Sequence, residues 1–174
     1  VRAIRKRRPE ARVEVLVPDF MGNDKALNTV LGVRPDVFNH NLETAEALYP
    51  QIRRPKENYQ RSWRILKAAA EKGARTKSGI MVGLGEKQEE ILETFSDLRR
   101  ANCRLLTIGQ YLQATRDSVR VQKYYTPEEF EQLKNVALDF GFKGVVSSPL
   151  ARSSFRAPKL YRAALGQDER ECVT

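Results

Sequence analysis

The sequence predicts an α/β fold, an open and partial (β/α) barrel with parallel strands. Three observations lead to this prediction. Short apolar runs rich in β-branched residues recur along the chain, helical patterns lie between them, and polar residues gather where several of the runs end. A strand followed by a helix, repeated along a chain, indicates parallel strands joined by right-handed crossovers. With 174 residues, the chain is long enough to bury one sizeable core.

The apolar runs predict buried strands, because β-branched side chains suit a pleated sheet. In chain order they are RVEVLVPDF (12–20), PDVFNHNLE (35–43), TKSGIMVGLGE (76–86), RLLTIGQY (104–111) and GVVSSP (144–149). Too few strands are present to close a barrel of about eight, so we expect an open barrel or a piece of one.

Helical patterns separate the later runs. Tyr59, Trp63 and Leu66 follow one another at spacings of four and three, which places them on one helix face. Ile91, Phe95 and Leu98 repeat this pattern in the next helix.

The segment from Thr126 to Glu129 is the clearest helix start in the sequence. The Thr126 hydroxyl can cap the first turn, proline suits the next position, and Glu129 can reach back to the cap amide. Gly141 is placed to end this helix, as Gly73 is to end the helix that contains Trp63.

Polar residues gather at the predicted carboxyl ends of several strands. A barrel builds its site from several strand ends at one rim, whereas a doubly wound sheet concentrates the site at one switch point. The distribution therefore favours a barrel. The residues are Asn39, His40, Asn41 and Glu43 after the second strand, Gly83, Gly85 and Glu86 after the third, and Gln110, Tyr111 and Gln113 after the fourth.

The formal net charge of +9 indicates an acidic partner, whether nucleic acid, a membrane surface or an acidic protein. Short basic clusters such as RKRR (5–8) are equally typical of solvated helix faces.

No apolar run approaches the roughly 18 residues that a bilayer crossing needs, so we expect no membrane segment. The two cysteines have no metal-binding spacing, and Cys103 is interpreted as a core residue. This cysteine usage suits a reducing compartment such as the cytoplasm.

The stretch GIMVGLGE (79–86) ends an apolar strand in two glycines, which would let a ligand approach the backbone. An ordinary strand-to-helix turn explains these glycines equally well. FNHNLET (38–44) brings together amides and a carboxylate that suit hydrogen bonds to hydroxyl groups, as on a ribose, and its histidine, His40, is interpreted as structural. SSPLARSSFRAP (147–158) is compatible with a helix cap or with a phosphate-binding loop that uses Arg152.

A family resemblance joins these stretches. LVPDF, PDVFNHNLET, TKSGIMVGLGE, LLTIGQYLQ, YYTPEEF and ARSSF follow one another in the order and approximate spacing seen in lipoyl synthases, which are radical S-adenosylmethionine (SAM) enzymes. The resemblance runs from about residue 11 to residue 157. One departure is Phe155, which stands where the family usually has tyrosine, so a phenol hydroxyl is missing there.

The resemblance implies the partial (β/α) barrel of TIM type found in radical SAM enzymes. It implies insertion of two sulfur atoms into an octanoyl chain held on a lipoyl carrier domain. Family members hold two 4Fe-4S clusters: one cleaves SAM to a 5'-deoxyadenosyl radical, and the auxiliary cluster donates sulfur. Carried onto this sequence, the auxiliary cluster is bound by Ser154, supported by Arg152 and Ser153. The SAM site is formed by Gly79, Met81, Gly83 and Glu86 near the adenine, by Asn39, Asn41 and Glu43 near the ribose and amino-acid portion, and by Gln110.

The cysteine motifs that bind the two clusters in this family are missing from the sequence. We therefore expect the chain to be the carboxyl-terminal portion of a longer enzyme, not competent alone. Residues 1–150 would belong to the barrel, and residues 151–174 would form a tail that carries the RSS motif.

The resemblance also implies partners and a location. The carrier is a lipoyl domain of a dehydrogenase-complex E2 or a glycine cleavage H protein, and electrons come from a ferredoxin or flavodoxin. A basic rim would steer an acidic carrier. No nucleic acid or membrane is expected, and the location is the cytoplasm, or the mitochondrial matrix in a eukaryote. Two alternatives stay open: a basic nucleic-acid-binding module, and a non-catalytic relative that binds only the carrier domain.

Overall fold

The computed structural model describes residues 1–52 and 54–166. One sheet of five parallel strands runs through it in the order β1-β2-β3-β4-β5. Each strand lies inside one of the predicted runs, so the strand predictions are confirmed with shorter bounds. The strands are β1 (Glu14–Leu16), β2 (Val37–Asn39), β3 (Thr76–Val82), β4 (Leu105–Gln110) and β5 (Gly144–Ser148).

Helices connect successive strands, and a last helix follows β5. The sequence patterns found α3, α4 and α5, but not α2 or α6. Two short 3-10 turns lie at Phe20–Gly22 and Glu46–Leu48. The helices are α1 (Arg2–Arg7), α2 (Asp24–Gly32), α3 (Lys56–Glu71), α4 (Gln88–Arg100), α5 (Pro127–Asp139) and α6 (Ala157–Ala164).

The predicted start of α5 is confirmed in detail. The backbone amide of Glu129 donates to the Thr126 hydroxyl at 3.3 Å, and the Glu129 carboxylate accepts from the Thr126 amide at 2.8 Å. Each group thus satisfies an amide that the first turn of a helix would otherwise leave unpaired. Gly73 and Gly141 have φ values of 83° and 93°, as expected of glycines that follow a helix.

The strand order follows the chain from one edge of the sheet to the other. A doubly wound sheet reverses its order at a switch point, and this sheet has no reversal. The predicted partial barrel is therefore confirmed, and all carboxyl ends of the strands point to the same rim.

The two faces of the sheet are covered differently. Ile80 and Ile108 on one face pack with Leu66 of α3 and with Phe95 of α4 in the main core. On the opposite, inner face, α6 covers the amino-terminal half of the strands, where Leu160 and Ala164 pack against Val37, Leu105 and Val146. The inner face is therefore closed at the amino ends of the strands and open toward the carboxyl ends.

The segment after β5 forms a turn and then α6. Residues 167–174, which include Cys172, lie outside the described residues. The division of the chain at residue 150 stays a prediction.

Candidate functional site

A cavity of about 290 Å³ lies at the carboxyl ends of β3 and β4, on the inner face. Parallel strands end at one edge of a sheet, so the cavity joins segments that are far apart in the sequence. It is lined by several of the predicted site residues, namely Asn41, Glu43, Gly79, Met81, Gln110, Arg152 and Ser153. Four others are not among the lining residues: Asn39, Gly83, Glu86 and Ser154.

Glu43 is held against β3 in an unusual backbone conformation. Its φ of 69° is uncommon outside glycine. The conformation is fixed from both sides, because the Glu43 amide donates to the Gly79 carbonyl at 3.1 Å and the Met81 amide donates to the Glu43 carbonyl at 2.7 Å. Burial raises the pKa of the Glu43 carboxyl, and the charge of Arg54 and a hydrogen bond from Asn41 offset part of that effect.

Gly79 makes room for the side chain of Asn41. A Cβ atom at position 79 would lie 2.8 Å from the Asn41 Oδ1 atom, closer than real Cβ contacts come. Asn41 therefore lies directly over β3, which any larger residue at position 79 would prevent.

Two polar atoms at the cavity have no hydrogen-bond partner among the described residues. They are Oδ1 of Asn41 and the hydroxyl of Thr107, and both are buried. Buried polar atoms in proteins are almost always paired, so unpaired atoms at a cavity indicate a place for a polar ligand. The cavity thus offers hydrogen-bonding atoms of the kind that the adenosine and amino-acid groups of SAM require. Sequence reasoning missed Thr107, although it lies two residues before Gly109 in β4 and therefore shares its face.

Glu86 is engaged inside the protein. Its carboxylate accepts hydrogen bonds from the amides of Gly83 and Leu84 at 2.6 and 2.9 Å and from the Tyr125 hydroxyl at 2.9 Å. The carboxylate therefore closes the glycine turn after β3 and ties it to the approach to α5.

Gln110 is anchored in a similar way. Its Nε2 donates to the carbonyls of Lys123 and Tyr111 at 2.9 and 3.1 Å, and its Oε1 accepts from the Tyr125 amide at 3.0 Å. The same side chain occupies the space where Gly83 lacks a Cβ atom. Gln110 and Glu86 thus position the loop of residues 111–125, and a direct contact with a cofactor stays a prediction for both.

The RSS segment lies against β4. A Cβ atom at Gly109 would come within 2.5 Å of the Ala151 carbonyl oxygen, so glycine is needed for this close approach. The Gln110 amide also donates to the Pro149 carbonyl at 3.3 Å. The Arg152 guanidinium donates to the Ala151 carbonyl at 2.7 Å and thereby remains at the cavity.

Ser154 lies on the exposed side of this turn. Its hydroxyl makes no hydrogen bond to any described residue, and so it is available to another group. No cluster of three or more His, Cys, Asp or Glu side chains able to hold a metal occurs in residues 1–52 and 54–166. Ser154 therefore fits the role of a single oxygen ligand to a cluster, while the described residues supply no set of further ligands.

Phe155, the departure from the family pattern, is 39% exposed, and the Arg156 guanidinium lies 5.3 Å from the centre of its ring. An aromatic ring at this position thus supports a cation, with or without a phenol hydroxyl.

A polar network lies beneath the cavity, between β1, β2 and β3. The Lys77 ammonium, completely buried, lies 2.9 and 3.1 Å from the two carboxylate oxygens of Glu14. Asn39 is buried as well, and its Nδ2 donates to Glu14 at 2.7 Å. Asn39 thus belongs to the support of the site. The signal that sequence reasoning missed is the lysine inside the otherwise uncharged strand TKSGIMV.

His40 is oriented by the backbone. Its Nδ1 lies 2.7 Å from the Val17 carbonyl, and burial lowers its pKa, so the ring is neutral at pH 7 with the proton on Nδ1. This contact agrees with the structural role that the sequence predicted.

Six basic side chains line another cavity, away from the candidate site. This cavity of about 980 Å³ lies at the opposite end of the sheet, where its lining includes residues that come just before the strands and residues at the end of α6. These six charges therefore do not line the candidate site, and the basic rim that would steer a carrier domain stays a prediction. The basic side chains of the larger cavity are Arg34, Lys72, Arg75, Arg99, Arg104 and Lys143.

Comparison with known proteins agrees with this architecture. The family model described as the radical SAM superfamily matches residues 1–98, more than half of the chain. The chain belongs to the radical SAM superfamily.

Relatives within the radical SAM superfamily narrow the similarity to lipoyl synthases, which confirms the resemblance. The chain is 50% identical to the lipoyl synthase of Rubrobacter xylanophilus over 159 residues, or 90% of this chain and 49% of that protein. It is 49% identical to the lipoyl synthase of Pyrobaculum arsenaticum over 169 residues, or 95% of this chain and 57% of the relative. The chain thus spans about half the length of these relatives.

Solved structures of other enzymes share the fold at low sequence identity. A domain of the pyruvate-formate lyase-activating enzyme from Bacteroides vulgatus superimposes with a TM-score of 0.59 at 12% identity, covering 83% of this chain and 86% of that domain. The hydroxymethylglutaryl-CoA lyase from Pseudomonas aeruginosa gives a TM-score of 0.53 at 16% identity, covering 79% of this chain and 45% of the lyase.

No helix in the described part of the chain is long and apolar enough to cross a bilayer.

Proposed function

We propose that this chain supplies part of the SAM site and one cluster ligand of a lipoyl synthase. That enzyme inserts two sulfur atoms into an octanoyl chain held on a lipoyl carrier domain. The observation that carries the proposal is the single cavity shared by the NHNLET segment, the glycine strand β3 and the RSS turn. The similarity to lipoyl synthases over nine-tenths of the chain supports it.

Different residues of the cavity would bind different parts of SAM. The unpaired Oδ1 of Asn41 and the Thr107 hydroxyl are available to ligand N–H and O–H groups, as on the adenosine and the amino-acid portion. Glu43 presents a carboxyl group at the same cavity, and its ionised form accepts hydrogen bonds from ribose hydroxyls. Gly79 and Met81 form the wall on which the adenine would lie.

Ser154 would hold one iron of the auxiliary cluster. When bound, SAM and the two clusters supply the radical that removes hydrogen atoms and the sulfur that replaces them. The contribution of the chain is to hold one iron through oxygen, a poorer match to an iron-sulfur cluster than a thiolate. A weakly held iron suits a cluster that gives up sulfide.

The cysteine ligands of both 4Fe-4S clusters are proposed to lie outside this chain. Burial raises the pKa of the Cys103 thiol to about 12, so at neutral pH this residue is a thiol in the core and unsuited to binding iron. Cys172 lies outside the described residues.

The proposed partners follow from the reaction. They are an octanoylated E2 domain or H protein and a ferredoxin or flavodoxin that supplies electrons, in the cytoplasm. The acidic carrier would reach the open carboxyl end of the sheet, where the cavity lies.

A chimera tests the proposal. This chain replaces the matching segment of the Rubrobacter xylanophilus lipoyl synthase, and both iron-sulfur clusters are reconstituted. The assay supplies SAM, a reductant and an octanoylated carrier peptide, and mass spectrometry measures 5'-deoxyadenosine and lipoylated peptide. We expect both products. With Ser154→Ala we expect 5'-deoxyadenosine without lipoylated peptide. A cluster-loaded chimera that forms neither product, beside an active parent, would contradict the proposal.

A further inference from the structure

The buried ammonium of Lys77 has a third partner besides the two oxygens of Glu14. It donates a hydrogen bond to the backbone carbonyl of Ser153, in the RSS turn that follows β5. An ammonium group has three N–H donors. All three are therefore used, two on the carboxylate of β1 and one on the residue before Ser154.

This contact is the link between the turn and the sheet. In the described part of the chain, the other hydrogen bonds of residues 152–156 stay within the turn or lead into α6. Among them, the Phe155 amide donates to the Arg152 carbonyl at 2.8 Å, and the Ala157 amide donates to the Ser154 carbonyl at 3.3 Å. Without Lys77, the turn would be held to the sheet by its flanks, at Ala151 and in α6.

We propose that Lys77 is a positioning residue for the serine ligand: by holding the carbonyl of Ser153, which lines the cavity, it fixes where the next residue, Ser154, lies. The inference rests on the proposed function, in which Ser154 binds the auxiliary cluster. The role explains why a buried position in β3 carries a charged side chain. Packing alone does not require the charge, because an apolar side chain at this position would have a lower desolvation cost.

The hydrogen bonds around Lys77 connect β1 and β2 to the turn, as a positioning role requires. Asn39 donates to Glu14 at 2.7 Å, and Glu14 in turn accepts from Lys77. The carboxylate is thus oriented by β2 and holds the ammonium, which reaches from β3 to the turn. An apolar side chain at position 77 would leave the Ser153 carbonyl without this donor.

A double variant separates the effect of Lys77 on the turn from its effect on stability through the buried ion pair. Removing Lys77 alone strands a charge on Glu14, which is strongly destabilising. Glu14→Gln with Lys77→Met removes both charges together and keeps an oxygen at position 14 that can accept from Asn39. The matched control is Lys67→Met with Glu71→Gln, which removes the exposed pair of α3 at 4.0 Å.

The first measurement is hydrogen–deuterium exchange of this chain without clusters. We expect the amides of Phe155 and Ala157 to exchange about tenfold faster or more in the Lys77 double variant, the factor that loss of a hydrogen bond to a charged donor implies. Amides in β4 and α4 should keep their protection, as should all of these amides in the control. Unchanged exchange at Phe155 and Ala157 in a folded double variant overturns the inference.

The second measurement is the Mössbauer spectrum of the auxiliary cluster in the Rubrobacter chimera. We expect the Lys77 double variant to lose the same iron signature that Ser154→Ala loses. If Ser154→Ala changes the spectrum and the double variant does not, the positioning role of Lys77 is wrong and the proposed function stands. If Ser154→Ala itself changes nothing, the proposed cluster ligand is wrong, and the exchange data still decide whether Lys77 holds the turn.

Discussion

The Tyr125 hydroxyl donates a hydrogen bond to the Glu86 carboxylate at 2.9 Å, joining the approach to α5 to the glycine turn after β3. Tyr125→Phe removes this bond and leaves the ring in place. We expect the free energy of unfolding to fall by about 1 to 3 kcal/mol, since the acceptor is charged. Amides of residues 111–125 should exchange faster with deuterium.

The matched control is Tyr124→Phe, because Tyr124 is 69% exposed. Urea unfolding of both variants measures the difference. Equal stability of Tyr125→Phe and Tyr124→Phe would mean that Glu86 does not fix this loop.

Gly109 allows the backbone of the RSS segment to lie on β4. Gly109→Ala would place a Cβ atom 2.5 Å from the Ala151 carbonyl oxygen, and this backbone atom cannot move aside cheaply. We expect a loss of about 1 to 3 kcal/mol in the free energy of unfolding, together with faster exchange at residues 151–157. Thermal unfolding measures the first effect.

Gly32→Ala is the control for the same substitution at an uncrowded position, because outside the backbone of its own helix and its chain neighbours no atom lies within 4 Å of the added Cβ. It should leave the stability unchanged or raise it slightly, as alanine favours a helix. If both glycine variants are as stable as the parent, the close approach at Gly109 is not required.

We expect the Glu43 carboxylate to lower the free energy of unfolding of the chain and to strengthen the binding of SAM. Burial raises the folded-state pKa of Glu43 from its ordinary value of 4.5. The ionised carboxylate therefore lowers the stability of the fold at a pH above the folded-state pKa. This loss of stability disappears when the pH falls below 4.5, where the carboxyl is protonated in both states. Glu43→Gln should therefore stabilise the chain at pH 8 and have less effect at pH 4. The same variant should bind SAM more weakly in the cluster-loaded Rubrobacter chimera.

Denaturant unfolding at pH 8 and pH 4 tests the first expectation, and calorimetric titration with SAM tests the second. Glu93→Gln, an exposed change in α4, should show neither effect. A loss of stability at pH 8 in Glu43→Gln would contradict the argued burial cost.

Ser154→Cys tests why an oxygen stands at this position. A thiolate holds iron in a cluster more firmly than a hydroxyl group. We expect the chimera with this change to assemble its clusters, measured as iron and sulfide content, and to form lipoylated peptide more slowly. Sulfur insertion at the parental rate would show that weak binding of iron is not the reason for serine.

Much of the fold could be predicted from local patterns. The five strands and α3 to α5 follow from apolar runs and helical spacing, which report on burial against immediate neighbours. Helix α6 was not predicted, because its burial depends on Val37, Leu105 and Val146, which come from three separate strands. Local spacing within eight residues cannot reveal such a partner.

The site could be predicted only in part, for a related reason. Asn41, Glu43 and Gly79 were identified as site residues by family resemblance, and the structure brings them to one cavity. Glu86 and Gln110 have the same polar character in the sequence, yet their hydrogen bonds go to the loop before α5. Lys77 was overlooked because its partners, Glu14 and Ser153, lie 63 and 76 residues away in the chain.

The binding of iron by Ser154 is the central claim, and a Mössbauer spectrum of the auxiliary cluster tests it most directly. The samples are the reconstituted Rubrobacter chimera with the parental turn, with Ser154→Ala and with Ser153→Ala. The account predicts one distinct iron site in the parent, its loss in Ser154→Ala and its retention in Ser153→Ala. Identical spectra for the parent and Ser154→Ala would contradict it.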